Sequence, residues 1–392
     1  MPRPSQDLAD LLTSLRRSPD LEGPNLEAHD AADRLILDEA APFIAQAGVT
    51  EPAGDAGVSD VVVLGDTHGA LSLGLAALGA GVVVATDSVL GERAIAANAQ
   101  RAGLTQRVRI AALTGDAVGP DLLSGARLVV MRLPRALAEL AEISELIAQH
   151  ADPGVRVVAG GREKYLTRRM NDVLERSFAQ VHASLGRQKS RVLHAAGPRP
   201  DAPRGTYPQR AEHLGLQVVA HGGAFAGTDL DLGSRYLLTF ADRMAPEAAT
   251  AADAGCGTGI LAVALASARP DLHVTASDIS AWAVASARET ARANRVEDRV
   301  EAVRADALET LPSRSVDLVV CNPPFHSGVA VEPDAARGLL RDAGRVLAPG
   351  GELWCVFNSR LARARELRRL VGPTEVMGDN GTFTVTRSVP RG

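Results

Sequence analysis

The stretch Asp253-Ala254-Gly255-Cys256-Gly257-Thr258-Gly259 decides the fold of this chain. It follows a run of small and apolar residues and precedes an apolar stretch with helical spacing, 260–268. Glycines at alternate positions indicate a tight turn between a strand and a helix, where the backbone approaches a ligand and a Cβ atom is not tolerated. The dinucleotide-binding fingerprint requires a glycine where Ile260 stands. The turn therefore indicates a different ligand or, as the alternative, a purely structural turn.

A second motif, Asn322-Pro323-Pro324-Phe325, follows the apolar strand pattern 317–321. Two prolines fix the backbone and remove two N–H donors while their carbonyls remain acceptors. Asn322 accepts through its amide oxygen, and Phe325 offers a flat face for stacking. Because ligands bind at the carboxyl edge of open α/β sheets, the motif predicts a site for a planar group that carries an amino nitrogen. The alternative is a proline-rich turn that only ends the strand.

The two halves of the chain repeat the same landmarks in the same order. Gly65, Asp87, Asp116 and Arg132 in the first half correspond to Gly255, Asp278, Asp306 and Asn322 in the second, at offsets of 190 or 191 residues. Strand and helix patterns alternate throughout, which favours parallel sheets covered by helices on both faces. We therefore predict a duplicated domain, with two tandem Rossmann-like units.

The two copies differ at the ligand positions. Val63 stands where the second half has Asp253, and Thr67 stands where it has Gly257. The segment 132–135, Arg-Leu-Pro-Arg, replaces the asparagine–proline motif. The first copy is therefore degenerate, and its arginines suggest either that it holds RNA or that it only supports the second copy.

The predicted boundaries are a degenerate domain over 1–195, a linker over 196–222 and a catalytic domain over 223–392. A segment rich in proline, glycine and arginine, 197–205, indicates the linker. Residues 1–25 are polar with several prolines, so we expect them to be loosely ordered.

Composition excludes several classes of protein. The 392 residues are 46% hydrophobic, carry a net charge of −5, and contain no run of apolar residues long enough to span a membrane. This balance gives no global basic field for nucleic acid. The three cysteines lack metal-ligand spacing, which predicts reduced thiols and no metal site. We expect a cytoplasmic monomer that is not bound to a membrane.

The chain resembles the tandem-domain bacterial ribosomal RNA guanine-N2 methyltransferases of the RsmC and RlmG type, which are class I S-adenosylmethionine-dependent enzymes. The segments that carry the resemblance are Phe225, 229–234, 255–259, 322–326, 358–361, 383–385, 69–72 and 134–137. It covers nearly the whole chain and implies two mostly parallel seven-stranded sheets flanked by helices. It also implies S-adenosylmethionine as the cofactor, ribosomal RNA or a ribosomal subunit as the partner, and a guanine 2-amino group in small- or large-subunit RNA as the acceptor.

Several residues become candidates for cofactor binding, in addition to the three glycines and Asn322. Asp278 ends the strand after the glycine turn, where an acid binds ribose hydroxyls; a helix N-cap is the alternative. Asp306 is placed to accept from the adenine amino group and the Ala307 N–H to serve the ring, although Asp306 is alternatively a loop residue. Asp253 orients the turn or binds the methionine ammonium. Phe225 lies in a glycine- and acid-rich segment that we expect to fold over the cofactor.

The catalytic candidates are Asn322, Pro323, Pro324, Phe325 and His326. An exocyclic amine is a poor nucleophile because its lone pair is delocalised into the ring. Acceptors on its N–H bonds, here the Asn322 oxygen and the Pro323 carbonyl, would favour attack on a methyl group held in line. His326 either handles a proton or orients the substrate, or only lines the rim.

Two other functions remain open at this stage. A related Asn-Pro-Pro tetrapeptide serves methylation of a glutamine amide in release factors, although those enzymes usually carry tyrosine at the position of Phe325. The third hypothesis is a non-catalytic RNA-binding or assembly protein.

Overall fold

A computed structural model describes residues 6–23, 26–47, 60–111, 113, 120–323, 332–361 and 363–391. It divides into two compact units, Met1–Tyr207 and Pro208–Gly392. Within the described ranges, every helix is too short or too polar to cross a membrane. The landmark Asp116 lies outside the described residues.

The first unit contains seven strands and seven helices among its described residues. The strands are β1 (Val61–Leu64), β2 (Val82–Ala85), β3 (Val108–Ile110), β4 (Leu128–Arg132), β5 (Arg156–Arg162), β6 (Phe178–Ala183) and β7 (Ser190–Pro198). The helices are α1 (Gln6–Ser14), α2 (Ala31–Ala47), α3 (Ala70–Ala77), α4 (Val89–Ala102), α5 (Pro120–Leu123), α6 (Leu137–His150) and α7 (Arg168–Ser177). The sheet order is β3-β2-β1-β4-β5-β7-β6, with β7 antiparallel to both of its neighbours.

The central strands of this sheet are buried along their whole length. The valines of β1 and β2 have no exposed surface, which is what a parallel sheet covered on both faces requires. The prediction that residues 1–25 are loosely ordered is wrong for 6–23, the part of this segment that the structure describes. Leu8, Leu12 and Leu15 recur at helical spacing on one face of the α1 segment and are buried in the core, so apolar burial outweighs the polar composition of the segment.

The second unit repeats this architecture and adds a hairpin. The hairpin strands are β8 (Gln209–His213) and β9 (Leu216–Ala220). The sheet strands are β10 (Thr250–Ala254), β11 (His273–Asp278), β12 (Val300–Arg304), β13 (Val316–Cys321), β14 (Leu347–Asn358), β15 (Thr374–Asp379) and β16 (Phe383–Ser388). The helices are α8 (Leu232–Leu238), α9 (Ile260–Ala268), α10 (Ala281–Ala293), α11 (Glu332–Val346) and α12 (Ala364–Leu370).

The order of the second sheet, β12-β11-β10-β13-β14-β16-β15, is that of the first sheet strand for strand. Its first five strands are parallel and β16 is antiparallel to β14 and β15. The predicted duplication into two tandem, mostly parallel seven-stranded α/β units is confirmed.

The observed boundary differs from the predicted linker over 196–222. The first unit keeps β7 to Pro198, and the β8–β9 hairpin belongs to the second unit. Leu214 and Gly215 both have positive φ, of 54° and 75°, as a tight hairpin turn requires. The hairpin is then held by α10, where Thr290 Oγ1 accepts from the Val219 N–H at 3.0 Å and donates to the Val219 carbonyl at 3.1 Å.

Candidate active site

The site lies where three parallel strands of the second unit end together. In the register, Ala254 at the end of β10 is opposite Ser277 of β11 on one side and Cys321 of β13 on the other. The chain leaves β10 toward β11 and returns later to β13, so the carboxyl ends diverge at a topological switch point. This arrangement brings the glycine turn, Asp278 and Asn322 to one edge of the sheet.

The glycine turn has the backbone that its sequence predicts. Gly255, Gly257 and Gly259 have φ of 76°, 53° and 76°, a region that disfavours any side chain. A Cβ atom on Gly259 would lie 2.8 Å from the Cβ of Ala287, so this glycine lets α10 pack against the turn. A Cβ on Gly257 would meet no atom within 4 Å, so the turn presents bare backbone to open space. That space suits a ligand that must approach the main chain closely.

Asp253 lies beneath the turn. Asp253 is only 1% exposed. Its Oδ2 accepts from the N–H of Ala262, in the first turn of α9, at 3.2 Å. Burial raises the pKa of Asp253 to about 7, and the charge of Asp278 adds to this effect. These contacts favour the predicted role of orienting the turn over direct contact with a ligand ammonium.

Asp278 connects the glycine turn to the start of α10. Its Oδ2 accepts from the Gly257 N–H at 3.0 Å, and its Oδ1 accepts from the Ser280 N–H at 3.0 Å. The helix N-cap is Ser280, whose Oγ accepts from the Ala283 N–H, so the N-cap alternative for Asp278 is wrong. The carboxylate therefore lies at the β11 end of the turn, where a ribose hydroxyl is predicted to bind.

Asp306 and Ala307 form the exposed loop after β12. Ala307 has a positive φ of 49° and accepts a hydrogen bond from the Ser277 hydroxyl at its carbonyl. The next N–H, of Leu308, donates to Asp342 Oδ2 of α11 at 2.9 Å. Neither support is visible in the sequence, because neither Ser277 nor Asp342 belongs to a motif.

Asn322 is held in one orientation by two partners at the start of α8. Its Nδ2 donates to Asp231 Oδ2 at 2.7 Å and to Ser234 Oγ at 2.9 Å. An ionised carboxylate only accepts, so the NH₂ group of the amide must face Asp231. The amide oxygen of Asn322 is then the atom that remains to accept a hydrogen bond from an N–H group of a ligand. The same Asp231 oxygen caps α8 by accepting from the N–H groups of Gly233 and Ser234, at 2.8 and 3.0 Å.

The remaining catalytic candidates are only partly described. Pro323 is buried directly after Asn322. Pro324, Phe325 and His326 lie outside the described residues. In the described part of the chain, no group of three or more His, Cys, Asp or Glu side chains is placed to hold a metal ion.

Phe225 is an exposed aromatic residue in the segment between β9 and α8. It is 68% exposed and sits in a chain of tight turns, in which the N–H of Gly227 donates to the carbonyl of Ala224. Gly223 lets the segment pack closely against Trp282, because a Cβ atom at this position would lie 2.2 Å from the Trp282 ring. The role of Phe225 in covering the cofactor stays a prediction.

The equivalent edge of the first unit is closed by an ion pair. Arg132, which replaces Asn322, donates to Asp33 at 2.6 Å and to Asp30 at 3.2 Å. Asp33 is 2% exposed, and burial raises its pKa to about 6 although Arg132 acts in the opposite direction. Arg132 is therefore used inside the unit, which favours structural support over RNA contact for this arginine.

The degenerate glycine turn is also satisfied internally. Asp66 accepts from the N–H groups of Gly69 and Ser72 at 3.0 and 2.8 Å. His68 Nε2 lies 3.0 Å from Asp20 Oδ2, so the N-terminal segment packs against the turn.

Comparison with known proteins agrees with both halves of this description. Two family models match, the RLMG N-terminal domain over residues 4–199 and the Methyltransferase small domain over residues 215–387. The ribosomal RNA large subunit methyltransferase G of Pseudomonas paraeruginosa is 37% identical over 95% of this chain and 96% of that protein. The protein of the same name from Streptomyces avermitilis is 34% identical over 96% of this chain and 97% of that protein.

A solved structure covers both units. The T. thermophilus 16S rRNA N2 G1207 methyltransferase (RsmC), in complex with AdoMet and guanosine, matches with a TM-score of 0.72 and 21% sequence identity. The match covers 97% of this chain and 99% of that one, so the two share the tandem fold.

Proposed function

Because the chain belongs to the ribosomal RNA large subunit methyltransferase G family, we propose that it methylates the exocyclic 2-amino group of a guanine in large-subunit ribosomal RNA, with S-adenosylmethionine as the methyl donor. The names of the sequence relatives favour the large subunit, a choice that the motifs alone leave open. The guanine amine is supported by the structural relative, which acts on N2 of a guanine in its own RNA.

The second unit has the features that S-adenosylmethionine requires. When bound, this cofactor supplies a methyl group on a positively charged sulfur. The open space at Gly257 admits a ligand against the main chain. Asp278 is proposed to bind the ribose hydroxyls. The side chain of Asp306 and the N–H of Ala307 are proposed to bind the adenine ring. Phe225 would cover the bound molecule.

The single observation that carries the proposal is the orientation of Asn322. Asp231 and Ser234 hold its NH₂ group, so its oxygen accepts an N–H of the incoming amine without reorganisation. The Pro323 carbonyl is proposed to accept the second N–H. Fixing both N–H bonds directs the nitrogen lone pair toward the methyl group and gives the alignment that an in-line displacement needs.

The proton on nitrogen leaves after methyl transfer, so no strong base is required. His326 is proposed to orient the substrate or to accept this proton, and Pro324 and Phe325 to hold the base by stacking. The first unit is proposed to be non-catalytic. We further propose that the enzyme acts as a cytoplasmic monomer.

The decisive experiment uses labelled S-adenosylmethionine and large-subunit RNA, free and in assembled subunits, from a strain that lacks the enzyme. The RNA is digested to nucleosides after the reaction. We expect label in 2-methylguanosine. Label in another nucleoside would overturn the guanine assignment. A parallel reaction offers a release-factor peptide instead of RNA, and label only in its glutamine would favour the amide methyltransferase. Cofactor binding without any transfer would favour a non-catalytic binding protein.

A further inference from the structure

A cluster of exposed cations lies at the carboxyl edge of the first sheet. Arg135 follows β4, while Lys164 and Tyr165 follow β5, and these neighbouring parallel strands end side by side. The Arg135 guanidinium carbon lies 4.2 Å from the centroid of the Tyr165 ring, and Lys164 Nζ lies 4.6 Å from it. One aromatic ring thus contacts two cations, one from the segment after β4 and one from the segment after β5. We call these three residues, with Arg168 and Arg169 of α7, the cation platform.

Among the described residues of the first unit, no carboxylate neutralises the charges of the cation platform. In the described part of the chain, no carboxylate pairs with Arg135, Lys164, Arg168 or Arg169. The nearest acid in sequence, Glu163, instead bonds to Arg191 at 3.3 Å. A hydrogen bond from Lys164 and the charges of Arg135 and Lys164 lower the pKa of the Tyr165 phenol, as expected where cations gather.

The position of the α7 arginines is unfavourable for the fold alone. Arg168 and Arg169 are exposed in the first turn of α7, which contains no acidic residue. Cations at a helix N-terminus oppose the helix dipole, whereas an anion there is stabilised by it. A bound anion would remove this conflict. Over 162–191 the chain has eight Lys or Arg against three Asp or Glu, in a protein whose net charge is −5.

We propose that the cation platform binds the sugar–phosphate backbone of the ribosomal RNA substrate; the identity of the RNA rests on the proposed function. Guanidinium groups match phosphate oxygens in geometry and stay charged at any physiological pH. Two cations fixed on one ring lose less freedom on binding than free side chains do. Arg132, the last residue of β4, is not part of the cation platform because it is paired with Asp30 and Asp33.

The test compares two double variants with the same charge change in the full-length protein. Arg135→Gln with Lys164→Gln removes the two cations on the Tyr165 ring. Arg127→Gln with Arg176→Gln removes two exposed arginines outside the platform and serves as the control. Binding to large-subunit RNA is measured over a range of salt concentrations, with S-adenosylmethionine affinity and melting temperature alongside.

We expect the platform variant to lose RNA affinity about tenfold and the salt slope to fall by about two, as two lost phosphate contacts require. Its cofactor affinity and melting temperature should match the wild type, and the control should keep its RNA affinity. Equal RNA affinity in all three proteins, or an equal loss in the control, would overturn the proposal.

A second comparison isolates the aromatic support. Tyr165→Phe keeps the ring face and should retain RNA affinity, whereas Tyr165→Leu should lower it several-fold. If the wild type binds RNA through the platform but transfers no methyl group, the proposed function fails and the docking surface stands. If methyl transfer occurs and the platform variant binds normally, the docking surface fails alone.

Discussion

Asn322 and Asp231 are joined by a 2.7 Å hydrogen bond from the amide Nδ2 to the carboxylate Oδ2. The first unit keeps a related contact, between Arg132 in the place of Asn322 and Asp30 before α2. In both units an aspartate that precedes a helix binds a residue at the carboxyl end of the fourth strand, in chain order, of the seven-stranded sheet. The amide retains an oxygen that can accept from a ligand N–H group, while the arginine forms an internal ion pair. We propose that this contact supports chemistry in the second unit, whereas in the first unit it supports structure.

Asn322→Ala should abolish most methyl transfer without loss of cofactor. Removing a pre-organised group at a reacting centre costs about 10²–10³ in kcat. S-adenosylmethionine affinity, measured by calorimetry, should stay close to that of the wild type. Asn380→Ala is the control, since Asn380 supports the turn between β15 and β16 by accepting from the N–H groups of Thr382 and Phe383. A kcat near the wild-type value in Asn322→Ala would contradict the proposed role.

Asp231→Asn should lower kcat by about tenfold while leaving both KM values nearly unchanged, because a neutral amide no longer forces the NH₂ group of Asn322 toward itself. The new side-chain oxygen still caps α8, so stability should be preserved. Asp231→Ala removes the cap as well and should cost about 1 kcal/mol of stability in addition. Equal kcat values in the wild type and Asp231→Asn would show that the carboxylate serves only as a cap.

Glycine substitutions separate packing from ligand access. Gly259→Ala places a Cβ 2.8 Å from Ala287 and should mainly destabilise the second unit. Gly257→Ala meets no protein atom within 4 Å and should mainly weaken S-adenosylmethionine binding. Gly381→Ala, with a φ of 83° and no neighbour within 4 Å, is the control for backbone strain, which costs roughly 1–2 kcal/mol. Calorimetry measures the cofactor affinity of the three variants, and thermal unfolding measures their stability. If Gly257→Ala binds the cofactor as tightly as Gly381→Ala does, the ligand does not approach the backbone at this turn.

Local patterns predicted the parts of this protein that local physics determines. The glycine turn follows from backbone sterics, and the valine runs of β1 and β2 follow from burial on both faces. The link between Asn322 and Asp231 could not be predicted, because their separation in sequence carries no periodicity. A polar N-cap pattern at 231–234 was the available signal, but it identifies a helix start and not its tertiary partner.

The first unit shows the same limit. The pattern 132–135 shows arginines but not whether they face solvent or a carboxylate. Only the tertiary structure shows that Arg132 contacts the buried Asp33 while Arg135 remains exposed on Tyr165. The β8–β9 hairpin was likewise not predicted, because the composition of its segment is that of a linker.

Asp253→Asn should stabilise the second unit at high pH. Burial raises the pKa of Asp253 to about 7 from 3.8, so the folded state favours the protonated form. The ionised group therefore lowers stability above pH 7, and this cost disappears as the pH falls toward 4. Asparagine keeps an acceptor for the Ala262 N–H, so the gain in unfolding free energy should be largest near pH 8 and vanish near pH 4.

The measurement is urea unfolding followed by tryptophan fluorescence, because the two tryptophans, Trp282 and Trp354, are both buried in the second unit. Asp317→Asn is the control with the opposite sign. Burial of Asp317 acts to raise its pKa, but hydrogen bonds from Thr250 and Ala249 outweigh it and the pKa is lowered, so this variant should lose stability at pH 8. A pH-independent effect of Asp253→Asn would contradict the raised pKa.

Arg132→Met should strongly destabilise the first unit, by about 3–5 kcal/mol, because Asp33 is then left buried without its cationic partner. Replacing both residues, with Arg132→Met and Asp33→Leu, should recover most of that loss since no buried charge remains. Arg187→Met breaks the exposed pair with Asp38 and should cost at most about 1 kcal/mol. Hydrogen exchange of the β1 and β4 amides reports on this unit, which contains no tryptophan. If Arg132→Met is as mild as Arg187→Met but weakens RNA binding, this arginine contacts RNA and is not a structural element.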